Sequence, residues 1–308
     1  MGLKKRTIKW LAKHGPATLE GKTVLITGSN SGIGYKTAET CAYLNANVIL
    51  ACRSEKKALE AKQKLGNEYP NVNISILQID LASLESIDNF VKKIVDDKID
   101  IDVFVSNAGV YHQPGKKTKD GFELVLGVNY FGTYYLMERL LPYLATLGHE
   151  VTYINTISLI HKYAKKIDFG DFYYAKKYRN MRVYSRSKLC LAKATYYMAK
   201  KYENSNIKIL MNHPGIALTP LGLNSVGKLA GLSKVIGWMF NSPEKSSLSV
   251  AYILAHDFPA GSIVGPNKLF GGWGYPKLNR VRKKVKTGAE KLLAFTEKEI
   301  ALRKAQSK

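Results

Sequence analysis

Acidic residues are scarce in this chain of 308 residues: 24 Asp and Glu stand against 47 Lys and Arg, a formal net charge of +23. That balance suits anionic partners, whether phosphorylated cofactors, membrane surfaces or nucleic acid. A lysine-rich solvated surface is the plainer reading of the same charge. Cysteine is scarcer still. Cys41, Cys52 and Cys190 are scattered, odd in number and without ligand spacing. They exclude a disulfide framework and a metal site, and read as small buried residues in a reducing, cytoplasmic compartment. No uncharged apolar run reaches roughly 18 residues, so a spanning helix is not expected. The N-terminus starts basic but lacks the apolar stretch and small-residue cleavage site of a secretory signal. Arg6 stands where a myristoylation signal on Gly2 needs Ser or Thr. Solenoid repeats and low-complexity segments are also missing.

What the chain does have is alternation. Strand-like apolar runs at 23–26, 47–51, 74–79, 101–106, 151–156 and 207–211, with a weaker one at 262–270, are separated by stretches of helical length. Those stretches are 33–44, 56–65, 84–95, 121–147 and 184–202. The pattern predicts an α/β fold, a doubly wound parallel sheet of Rossmann type in a single domain. Ligands in such sheets bind beyond the carboxyl ends of the strands. Residues 1–20 form a basic N-terminal arm, 21–274 the dinucleotide-binding catalytic domain, and 275–308 a basic, helical C-terminal tail. An apolar insertion at 218–241 carries Leu221, Leu223, Leu229, Leu232, Val235, Ile236, Trp238, Met239 and Phe240. After it, Ser242-Pro243-Glu244 restarts a helix.

The first strand runs into Thr27-Gly28-Ser29-Asn30-Ser31-Gly32-Ile33-Gly34. Gly28 permits a tight turn, and Gly32 and Gly34 let loop and helix approach a pyrophosphate without a Cβ in the way. The helix that follows offers free N–H groups and a partial positive charge. The spacing is Gly-x-x-x-Gly-x-Gly, not the commoner Gly-x-Gly-x-x-Gly. An NAD-selective site places an acidic residue about 20 positions further on. Cys52 and Arg53 stand there instead, and a guanidinium suits a 2′-phosphate, so the cofactor expected is NADP. Asp80-Leu81, after the third strand, is placed to contact the adenine or simply to start a helix. Asn107-Ala108-Gly109 closes the fourth strand with small residues that allow a cofactor close, or forms an ordinary turn.

Tyr184 and Lys188 are four apart on a helix and share a face. A nearby ammonium favours phenolate and lowers a tyrosine pKa from near ~10. Tyr184 is thereby a general acid for a carbonyl or a base for an alcohol.

Together these motifs resemble the short-chain dehydrogenase/reductase family, over residues of about 20 to 220. The resemblance rests on Thr27–Gly34, Asn107-Ala108-Gly109, Asn129, Ser158, Tyr184-x-x-x-Lys188 and Pro214-Gly215. It is strongest toward the retinol-dehydrogenase-like branch, through Ala51-Cys52-Arg53, Val128-Asn129-Tyr130-Phe131-Gly132, His213-Pro214-Gly215 and the long interval between Ser158 and Tyr184. It implies that Ser158 hydrogen-bonds the substrate oxygen, that Tyr184 transfers the proton and that Lys188 holds the ribose. Asn129 would fix a water in a proton relay. Ile157 stands where the branch has the first of two serines, with the Thr156 hydroxyl nearby. His161 also fits the pattern and reads as a structurally satisfied histidine.

The cofactor-binding set is then Gly28, Ser29, Asn30, Ser31, Gly32, Ile33, Gly34, Arg53, Ser54, Asp80, Leu81, Asn107, Ala108, Gly109, Tyr184, Lys188, Pro214, Gly215, Ile216 and Thr219. The activity expected is NADP(H)-dependent interconversion of an alcohol and a carbonyl on a small lipophilic substrate. The alternative is a catalytically silent NADP-binding redox sensor or scaffold, which would not require the serine and tyrosine. No nucleic-acid partner is expected, and a homodimer is left open. In helical projection Leu3, Thr7, Trp10 and Leu11 cluster opposite Lys5, Arg6, Lys9 and Lys13. That arm suits either a peripheral contact with an anionic membrane or packing on the protein body.

Overall fold

The computed structural model describes residues 2–111, 113–174, 178–215, 241–268 and 271–306. Its first half runs α1 (Lys5–His14), β1 (Thr23–Thr27), α2 (Gly32–Tyr43), β2 (Asn47–Cys52), α3 (Glu55–Glu68), β3 (Ile74–Gln78), α4 (Leu84–Asp96) and β4 (Val103–Ser106). Next come α5 (Leu124–Leu126), a π-helical stretch (Gly127–Gly132), α6 (Thr133–Leu144), β5 (Val151–Thr156), a 3-10 turn (Leu159–Tyr163), α7 (Asn180–Lys201) and β6 (Ile207–Asn212). The chain ends with α8 (Pro243–Leu254), β7 (Ile263–Lys268), β8 (Trp273–Asn279), α9 (Lys283–Lys286) and α10 (Ala289–Gln306).

The strands form one sheet in the order β3-β2-β1-β4-β5-β6-β7-β8. β1 to β7 are parallel, paired by register such as Leu25 with Ile49 and Leu25 with Phe104. The order reverses between β1 and β4, which is where a doubly wound sheet opens its ligand crevice. Both faces are covered. Leu25, Phe104 and Tyr153 face a core built from α4, α6 and α7, while Val24, Ile26 and Leu50 face one built from α2, α3 and α8. α4 shows how the sequence dictates this. Ser83 caps its start by accepting from Ser86 N, and Leu84, Ile87, Phe90, Val91 and Ile94 recur at helical spacing and are all buried.

One expectation about the ends of the chain is corrected. The C-terminal tail is not wholly helical: β8 pairs antiparallel with β7 and straddles the boundary drawn at residue 274. Gly274 and Pro276 break any apolar run there, and an edge strand tolerates that proline. Beyond it α10 docks on the body, with Tyr130 Oη 2.6 Å from Thr296 Oγ1 and Tyr134 donating to Glu297 at 3.0 Å. The N-terminal arm is the helix expected, and of its two readings the structure has the packing on the protein body. Leu3, Trp10 and Leu11 are buried against Leu248 and Ala251 of α8, and the Trp10 ring stacks on Tyr275 at 5.5 Å. Burying such side chains contributes about 1.5–3 kcal/mol each, so α1 has no apolar face to offer a membrane in this arrangement. Among the described residues no helix is long and apolar enough to cross a membrane. The three cysteines are buried and free, as expected.

Candidate active site

The carboxyl ends of β1, β4, β5 and β6 deliver four loops to one edge of the sheet. The first is the glycine loop. Gly28 and Gly32 adopt positive φ of 66° and 58°, a backbone conformation that favours glycine. Gly34 serves a different purpose from the one its spacing suggests. A Cβ there would lie 2.3 Å from Gly28 O and 2.4 Å from Asn107 Nδ2, so this glycine closes the helix onto its own loop instead of clearing space for phosphate.

The loop is welded to the end of β4. Thr27 Oγ1 accepts from both Asn107 N and Ala108 N at 3.0 Å, and Asn107 Nδ2 donates to Thr27 O at 3.0 Å. Thr27 opens the glycine-loop motif, but its spacing gives the hydroxyl no role. Its hydroxyl sits where two loops meet, a pairing that only the fold reveals.

The start of α2 fits a phosphate. Ser31 makes no side-chain cap there and the first turn holds no acid, whereas Ser54, Ser83 and Ser242 cap α3, α4 and α8. The first N–H groups of α2 therefore have no capping side chain, at the positive end of the helix dipole. Arg53 is exposed just past the end of β2, and Cys52 behind it is buried with its Sγ 3.5 Å from Ser29 Oγ. Burial raises the Cys52 pKa. Ser54 spends its hydroxyl on Lys57 N. Asp80 turns one carboxylate oxygen onto Ala82 N at 2.9 Å, and Leu81 is buried beneath it.

Ser158, Tyr184, Lys188 and Asn129 converge on the far side of the crevice. Asn129 lies in the π-helical stretch, a local widening that often marks functional positions. It is fully buried. Its Oδ1 accepts from Val110 N at 2.8 Å, and its Nδ2 donates to Val110 O at 2.8 Å and Ser187 Oγ at 3.3 Å. Both amide hydrogens are thus committed, which leaves only acceptor positions to hold a relay water. Gly109 fits between two of these groups: a Cβ would stand 3.1 Å from Asn129 Oδ1 and 3.6 Å from Lys188 Nζ.

Lys188 is buried and donates to Thr156 O at 2.9 Å, and burial lowers its pKa to about 8. Tyr184 behaves contrary to the reading from spacing. Burial raises its pKa above the ordinary phenol value, the Ser158 hydroxyl pulls it back, and Tyr111 raises it further. Desolvation is the largest influence on Tyr184, and it favours the neutral phenol. Tyr184 is held protonated. Tyr111, two residues past Gly109 and not singled out by any motif, stands edge-on to the Tyr184 ring at 5.1 Å. Ile157, in place of a first serine, is a core residue. The Thr156 hydroxyl is buried without a partner.

Pro214 and Gly215 follow β6. Pro214 O accepts from Ser246 Oγ at 3.0 Å and Asn241 Nδ2 at 3.3 Å, and Gly215 has φ of 77°. Ile216, Thr219 and residues 218–240 of the apolar insertion lie outside the described residues. His161 is not fully satisfied. Its ring Nδ1 is 2.6 Å from Ser158 O, but its buried Nε2 has no partner.

Comparison with known proteins follows the same lines. The family model described as short chain dehydrogenase matches residues 22–228. Retinol dehydrogenase 13 of Homo sapiens is 35% identical over 243 residues, covering 77% of this chain and 73% of its own. Polyprenol dehydrogenase of Homo sapiens is 32% identical over 237 residues, covering 75% and 72%. A crystal structure of an uncharacterised protein from Mycobacterium paratuberculosis superposes with a TM-score of 0.75 at 27% identity, covering 94% of this chain and 97% of that one.

Proposed function

This chain belongs to the short-chain dehydrogenase/reductase family, in its retinol-dehydrogenase-like branch, and is an NAD(P)-using oxidoreductase of alcohols and carbonyls; from that premise we propose that it uses NADP(H) on a lipophilic substrate, with Tyr184 as the proton donor. The observation that carries the reading is the Tyr184 phenol beside the Ser158 hydroxyl, with Lys188 reaching Gly109, at the carboxyl edge of the sheet. A protonated phenol held beside a serine hydroxyl is equipped to hydrogen-bond a carbonyl oxygen from two directions.

Bound NADPH supplies the hydride. The chain's own part is orientation and proton transfer. Ser158 holds the substrate oxygen, and Tyr184 gives it the phenolic proton as the carbonyl carbon is reduced. Asn107-Ala108-Gly109 and Lys188, which comes near Gly109 from α7, would hold the cofactor there. Arg53 at the end of β2, where an acid would accept a ribose hydroxyl, supports NADP over NAD. A lipophilic substrate is supported by the apolar composition of residues 218–240 and by relatives named for retinol and polyprenol.

The test is NADPH oxidation by the purified protein against a panel of long-chain and polyene aldehydes and short polar ones. The expected result is turnover with the lipophilic members, lost in Tyr184→Phe. NADPH consumption with none of them, alongside intact NADPH binding, would favour a silent cofactor-binding protein.

A further inference from the structure

The segment that carries Ser158 is short. It leaves β5 at Thr156, passes through buried Ile157 and forms a five-residue 3-10 turn with Ser158 at its N-cap. A single turn of this kind has little stability of its own. Its upstream end is tied to the sheet through Ile157 N donating to Asn212 O at 2.8 Å. The turn itself is tied by two side chains that no motif singles out as site residues.

His161 holds the beginning. Ser158 O accepts from the His161 backbone N–H at 3.1 Å and lies 2.6 Å from its ring Nδ1. A carbonyl can only accept, so Nδ1 carries the proton and the tautomer is fixed. Burial, with the nearby Lys162, Lys284 and Arg282 charges, lowers the ring pKa to about 4, so the imidazole is neutral across the working range.

Lys284 holds the end. This residue belongs to α9, in the C-terminal basic segment, yet its Nζ donates to Lys162 O at 2.6 Å and Ala164 O at 3.1 Å. An ammonium on the last carbonyls of a helical turn satisfies acceptors that otherwise have no partner and meets the negative end of its dipole. α9 is itself anchored: Val285 is fully buried, and Lys193 of α7 donates to Thr287 O. The chain therefore runs from α7, through α9, to the turn that bears Ser158.

We propose that His161 and Lys284 are positioning residues that clamp the two ends of this turn, setting the Ser158 hydroxyl against Tyr184 and coupling the C-terminal segment to turnover. The inference rests on the assignment of Ser158 made under the proposed function. Neither residue touches substrate. Each acts through Ser158.

The decisive experiment compares Lys284→Met and His161→Leu in two backgrounds, the parent enzyme and Ser158→Ala, using NADPH and a long-chain aldehyde that the parent reduces. In the parent background each substitution should lower kcat five- to tenfold while the NADPH Kd stays within twofold. In the Ser158→Ala background the further loss should be under twofold, because the group being positioned is gone. His161→Asn, which keeps a donor near the place of Nδ1, should recover most of kcat. Equal fold-losses in both backgrounds would reveal a merely structural role and overturn the clamp, as would unchanged kcat in the parent. Ser158→Ala without loss of kcat would instead sink the assignment of Ser158, and the clamp with it, in a comparison made before Lys284 is altered. Amide hydrogen exchange gives a reading that needs no substrate. Ile160 and His161, whose N–H groups are held by Ser158, should exchange about tenfold faster in Lys284→Met, while Leu189 and Cys190 on α7 do not change. Unaltered exchange at Ile160 and His161 would overturn the proposal equally.

Discussion

Lys188 Nζ donates to the carbonyl of Thr156 at 2.9 Å, so the buried ammonium leans on the last residue of β5, two positions before Ser158. One neutral carbonyl does not repay the loss of water around a charge, and burial lowers the Lys188 pKa to about 8. The unfolded chain, with an ordinary lysine near 10.5, binds more protons than the folded one between those values. Stability contributed at this position is therefore least below pH 8 and rises as pH climbs from 8 toward 10.5. Lys188→Met should remove that rise. The check is the difference in unfolding free energy between parent and variant from pH 7 to 9.5. A difference that does not change with pH would place the lysine pKa at its ordinary value.

Tyr184→Phe should abolish turnover while leaving NADPH affinity within about twofold. The substitution removes only the phenolic proton and keeps the ring that Tyr111 meets edge-on. A loss confined to kcat is the signature of an interaction made in the transition state. Steady-state kinetics together with a fluorescence titration of NADPH would separate the two. Residual turnover above a hundredth of the parent would take the proton from another donor.

Much of this was legible in the sequence, for physical reasons. Buried parallel strands read as continuous apolar runs, and the seven found by pattern lie within a few residues of β1 to β7. The glycine loop, the Asn-Ala-Gly turn and the Tyr–Lys pair are local in sequence, so spacing alone brings their residues together. What was not legible depends on packing between distant segments. Thr27 joins two loops 80 residues apart, and β8 is hidden by glycine and proline. The shift of the Tyr184 pKa has the opposite sign from that expected of a Tyr–Lys pair, because burial, invisible in a four-residue spacing, is the largest influence on it.

Arg53→Ala tests cofactor choice. Arg53 is exposed beside the end of β2, with no acid at 52 or 53. Losing a guanidinium from a 2′-phosphate should weaken NADPH at least tenfold, about 1.4 kcal/mol, and leave NADH within twofold. Equal affinity of the parent for both cofactors would remove Arg53 from the selection.

Two glycines make a paired test of the loop. Gly34→Ala drives a methyl to within 2.3 Å of backbone at Gly28, which cannot move aside without opening the loop. It should cost about 1–3 kcal/mol and weaken NADPH binding. Gly66→Ala on α3 meets nothing within 4 Å and should stabilise the protein by about 0.5–1 kcal/mol. Chemical denaturation of both variants checks the pair, and similar signs for the two would show that the Gly34 contact is readily relieved.

The N-terminal helix gives the last prediction. Trp10 is 9% exposed, stacked on Tyr275 and packed with Leu11 against α8. If that contact is the function of the arm, Trp10→Ala leaves a cavity between α1 and α8 and should destabilise the fold by about 3 kcal/mol. The basic residues Lys5 and Lys9 remain exposed on α1, and Arg6 is exposed while donating to Tyr275 Oη. Any attraction to anionic vesicles should then be electrostatic, unchanged by Trp10→Ala and abolished at high salt. Thermal unfolding and co-sedimentation with anionic and neutral liposomes read the two effects separately. Full stability in Trp10→Ala, together with a loss of liposome binding, would mean that the tryptophan faces lipid in solution and that the packing against Tyr275 is not the working state.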